Sequence, residues 1–87
     1  MEITAAIVKE QGVRFVVALV KQQAMQPANR EATRQSISPL FPGELIVLCA
    51  QDSRGVPSYF GRPDIVKFLA NIHISQLPWK KYRANAA

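Results

Sequence analysis

Residues 2–21 read Glu-Ile-Thr-Ala-Ala-Ile-Val-Lys-Glu-Gln-Gly-Val-Arg-Phe-Val-Val-Ala-Leu-Val-Lys. Two runs rich in β-branched residues flank Gln11-Gly12. Glycine accepts the positive φ that a tight turn demands, so the stretch predicts a β-hairpin. A two-residue turn at 11–12 pairs Val8 with Phe15, Ala6 with Val17 and Thr4 with Leu19 on one face. Ile7 with Val16, Ala5 with Ala18 and Ile3 with Val20 then share the other face, which ends in Lys9 and Arg14. Both faces are apolar, and strands of that kind are normally covered on both sides.

Outward from the hairpin, Pro27 predicts the first position of a helix, where its missing N–H costs nothing. That helix is expected to run to about Ile37, with Pro39 preventing continuation. Its apolar stripe is thin: Ala28, Ala32 and Ile37. Leu45 to Ala50 is apolar throughout and predicts a third strand. Asp52-Ser53-Arg54-Gly55 has turn composition. Val56 to Phe60 predicts a short fourth strand, held to an edge by Pro57. Arg62-Pro63-Asp64 opens a second helix, with Ile65, Phe68, Leu69 and Ile72 at helical spacing.

The order is β-β-α-β-β-α, which implies an α+β domain with a four-stranded mixed sheet and two helices. Alanines cover little area, so both helices are expected on one sheet face. The other face would then take a partner, most simply a second copy of the chain. Residues 1–76 read as the domain. Residues 77–87 read as a partly disordered tail with an apolar patch, Leu77-Pro78-Trp79, and Trp79 is the candidate interface anchor.

The composition is that of a globular chain: 48% hydrophobic and 20% charged residues argue against disorder. No apolar run approaches the roughly 20 residues that span a bilayer, so no membrane association is expected and a cytoplasmic location is the default. The net charge is +5, from eleven Lys and Arg against six Asp and Glu. Positive surfaces attract phosphate, which makes nucleic acid an alternative partner through Arg30, Arg34, Lys80, Lys81 and Arg83. The positives are scattered, however, and only the last three cluster.

No motif for a chemistry is present. Cys49 is the single cysteine and His73 the single histidine, so neither a disulfide nor a Cys/His metal site is expected, and no cofactor motif appears. Cys49 lies inside an apolar run and reads as a buried thiol. The densest polar group is Asp52, Arg54, Tyr59, Arg62 and Asp64, a candidate small-ligand or anion site around the second hairpin turn and the start of the second helix. The lead expectation is a non-enzymatic, homodimeric interaction module. Nucleic-acid binding and a ligand or enzyme site at Asp52–Asp64 are the alternatives.

Overall fold

The hairpin forms in the expected register. In the computed structural model, which describes residues 2–10 and 12–83, β1 (Glu2–Glu10) runs antiparallel to β2 (Val13–Leu19), with Ala5 opposite Ala18 and Val8 opposite Phe15. Gly12 takes a φ of 80°, the left-handed value the turn needs. Gln11, the other half of the predicted turn, lies outside the described residues.

A 3-10 turn at Gln22–Met25 leads to α1 (Arg30–Ile37). The helix starts three residues later than Pro27 suggested. The Asn29 amide bonds back to the Gln26 carbonyl at 2.8 Å, so residues 26–29 close a turn before the helix begins. After a second 3-10 turn at Ser38–Leu40 come β3 (Leu45–Gln51) and β4 (Pro57–Phe60). Helix α2 (Pro63–Leu69) opens on proline as expected. β2 and β3 are parallel neighbours, while β3 and β4 are antiparallel, so the sheet is mixed.

The sheet has five strands, not four. Trp79–Arg83, in the stretch read as a tail, forms β5 and pairs antiparallel with β1, in the order β4-β3-β2-β1-β5. A third 3-10 turn, Ile74–Gln76, carries the chain there. Residues 84–87 lie outside the described residues.

The expectation that both helices share one face is also corrected. Ile37 of α1 packs with Ile3, Ala5, Val16, Ala18, Ile46 and Leu48 on one side of the sheet. Ile65 and Leu69 of α2 pack with Ala6, Phe15, Val17, Val47 and Cys49 on the other. The thin stripe of α1 suffices because the connecting turns add side chains. Met25, Leu40 and Phe41 join the α1 face, and Phe41 meets Tyr82 edge to face at 5.2 Å. Ile72, Leu77 and Trp79 join the α2 face. The result is three layers with Val16 and Val17 both fully buried. Among the described residues, only Leu45 and Val56 are exposed large hydrophobics, so the uncovered sheet face that motivated the homodimer is absent. No helix among them is long and apolar enough to cross a membrane.

Candidate functional site

The backbone of β3 decides where this fold is open. The Cys49 carbonyl accepts the Val20 N–H at 2.8 Å, so the Cys49 backbone faces β2. Backbone groups alternate along a strand, which turns Leu48 and Ala50 toward β4 and turns Ile46 the same way. β4 ends at Phe60, opposite Leu48. The ladder therefore has no rung at Ile46. Neither its N–H nor its C=O pairs with another group among the described residues. Ile46 is only 4% exposed. Its side chain packs in the α1-side core, while the unpaired rung borders a cleft that admits water.

A cleft of about 260 Å³ lies on this open edge. Glu31 and Arg34 of α1 form one rim. Arg62 and Ile65, at the start of α2, form the other. Leu45, Ile46 and Val47 make the floor, and Phe60 and Gly61 close the end where β4 stops. The cleft thus straddles the sheet edge between the two helix layers. Leu45, one of the two exposed large hydrophobics, belongs to it.

Gly61 still lies against β3 just past the end of β4. A Cβ on Gly61 would lie 2.9 Å from Val47 Cγ2 and 3.2 Å from Val47 Cα. The chain passes this close to β3 as it leaves the sheet, then Pro63 starts α2.

The five residues read as one ligand site are not brought together. Asp52 is occupied by its own turn, where its Oδ1 accepts the Arg54 and Val56 amides at 2.8 and 2.9 Å. Arg62 donates to Asp64 through Nε and Nη2 at 2.7 and 2.8 Å. That pair sits at the opposite end of β4 from Asp52 and Arg54. The Arg62 hydrogen bond holds the Asp64 carboxyl below its usual range. Tyr59 faces the α2 core beside Cys49. Its hydroxyl is buried without a hydrogen-bond partner among the described residues, and burial first, then Cys49, pushes its pKa up to about 12. Only Arg62 lines the cleft.

The basic candidates divide likewise. Arg34 lines the cleft and Arg30 stacks over Phe60, both at the β4 edge. Lys80, Lys81 and Arg83 lie on β5, at the other edge. Four strand spacings, roughly 19 Å, separate the two groups, so they do not form one stripe. Trp79 packs within its own chain, its indole N–H donating to the Ile74 carbonyl at 2.9 Å.

The single thiol and imidazole are placed structurally. Cys49 is fully buried, and burial pushes its pKa up to about 11, far from a reactive thiolate. His73 Nδ1 accepts the Ser75 amide at 3.2 Å and caps the last 3-10 turn. No group of three or more His, Cys, Asp or Glu among the described residues could hold a metal. Leu45, Ile46, Phe60 and Gly61 were missed as site residues. Their signal was a length mismatch, because the third apolar run is longer than the fourth, which the Gly61-Arg62-Pro63 break cuts short. Against known proteins the chain matches no family model, no curated sequence and no solved structure.

Proposed function

We propose that the chain is a non-catalytic interaction module that accepts the end of an extended partner segment beside Leu45 and Ile46, the part of the β3 edge that the chain's own Gly61 and Phe60 leave free. The observation that carries this reading is the unpaired Ile46 backbone at the floor of a cleft. Strand addition draws affinity from main-chain hydrogen bonds and selectivity from alternate side chains. Ile46 offers one donor and one acceptor in the plane of the sheet. Leu45 offers apolar contact on the α2 side. The acids near the cleft are engaged, Glu31 with Arg34 and Asp64 with Arg62, which disfavours acid–base chemistry there.

The test is selection from a displayed library of unstructured dodecapeptides, followed by amide-shift mapping on isotope-labelled protein. Selected peptides are expected to shift Leu45, Ile46, Val47, Phe60 and Gly61. A library that yields no binder, or binders whose shifts are confined to β5, would overturn the reading.

A further inference from the structure

We infer that the outer edge of β5 accepts an extended acidic segment of a partner protein, with carboxylates beside Lys81 and Arg83. That edge lies across the sheet from the cleft, so binding there is independent of the β3 reading. The register fixes what the edge offers. The Cys49 carbonyl accepts the Val20 N–H, so the Val20 and Ala18 backbones face β3 and Leu19 faces β1. Leu19 lies opposite Thr4, which leaves the Ile3 and Ala5 backbones to bond Tyr82 and Lys80. Lys81 therefore turns its N–H and C=O outward, and neither has a partner among the described residues.

The side chains of this strand carry more positive charge than their neighbours match. Lys81 and Arg83 share one carboxylate, Glu2, at 3.9 and 3.6 Å. Both distances exceed a hydrogen bond, and the two cations are 75% and 82% exposed. Lys80, on the α1 side with Tyr82, makes no ion pair among the described residues. A second copy of the chain would set these cations against like charges, the way edge lysines keep identical edges apart. Nucleic acid would match the cations, but its phosphates only accept hydrogen bonds and leave the outward Lys81 carbonyl unmatched. A polypeptide backbone supplies a donor and an acceptor together. In an antiparallel addition, the residue opposite Lys81 exchanges both hydrogen bonds with it and projects to the α2 side, beside the Lys81 side chain. The residue opposite Arg83 projects to that side too, and the one between them meets Tyr82. The favoured pattern is acidic, apolar, acidic.

Capped, dye-labelled peptides test this by fluorescence polarisation: Thr-Thr-Glu-Val-Glu-Thr-Thr and its counterparts with Gln or Lys at both Glu positions. Affinity should fall in the order Glu, Gln, Lys, with Glu ahead of Gln by about tenfold, as suits two exposed ion pairs. Raised salt should narrow that gap. Methylating the backbone nitrogen of both glutamates keeps the charge but removes strand hydrogen bonds, and should weaken binding by about tenfold or more. Amide shifts should fall on Lys80, Lys81 and Tyr82. Lys81→Gln combined with Arg83→Gln should erase the Glu preference and leave Gln-peptide affinity unchanged, with the circular dichroism of the unsubstituted protein. If that variant loses its fold, the methylated peptide still decides. Equal binding of the Glu and Gln peptides, or of the methylated and parent peptides, overturns the inference. So does a Glu preference that survives the double substitution, or tighter binding of a short oligodeoxythymidylate than of the Glu peptide. Shifts confined to Leu45 and Ile46 overturn it as well, while supporting the β3 reading.

Discussion

Val16→Asp and Val17→Asp are each expected to unfold the chain. The two residues are adjacent, so their side chains point to opposite faces of β2. Val16 is fully buried under the α1 layer, and Val17 under the α2 layer. A carboxylate at either place would lack water and a partner, at a cost of several kcal/mol on top of the lost apolar packing. Natural domains are held by only about 5–15 kcal/mol, and a chain this short buries a modest core. Both variants should lose the cooperative thermal transition seen by circular dichroism. A sheet with one face closed by a partner copy would behave differently, because one variant would fold as a monomer. A folded monomer from either substitution would contradict the three-layer arrangement.

Gly61→Ala is expected to destabilise the protein by about 1–3 kcal/mol, the usual range for overpacking. In a domain of this size each kcal/mol lowers Tm by roughly 4–8 °C. The cause is steric and not conformational, because Gly61 is not among the positive-φ glycines. The added methyl would meet Val47, including its backbone. Val47 cannot retreat, since it is fully buried and its strand is paired in register with β2 at Val17. Gly43 supplies the contrast. It has a φ of 77° and open space around its Cβ position, so Gly43→Asn, which tolerates that conformation, should cost much less. Denaturant titration of both variants separates the two effects. A Gly61→Ala protein as stable as the parent would mean that β4 does not leave β3 along this path.

Local signals made much of the fold legible. The hairpin register followed from Gly12 and the apolar alternation around it. Leu45–Ala50 and the stripe on α2 were plain because burial on both faces, or on one helical face, leaves a periodic trace. β5 left none. Its aromatic residues, Trp79 and Tyr82, fall on opposite faces, with lysines between them. What makes it a strand is the free edge of β1, more than seventy residues earlier in the chain. The placement of α1 was misread for a related reason. Its own apolar stripe is thin, and the area that closes its layer comes from Met25, Leu40 and Phe41 in the flanking turns. The polar cluster at Asp52–Asp64 was legible as residues but not as a site. Asp52 serves its turn, while Arg62 and Asp64 serve each other. The cleft was hidden because its key groups belong to the backbone, which composition does not report.

Amide hydrogen exchange at Ile46 tests the central claim most directly. The Val47 amide faces β2 and the Leu48 amide faces β4, so both sit inside ladders. Ile46 lies in the same strand and is nearly as buried. The open-edge account predicts that Ile46 exchanges at least a hundredfold faster than either neighbour in the free protein, the factor that roughly 3 kcal/mol of missing protection gives. It also predicts that Ile46 slows when a peptide selected from the displayed library is added. Protection of Ile46 equal to that of Val47 and Leu48 in the free protein would contradict it, because the edge of β3 would then already be closed.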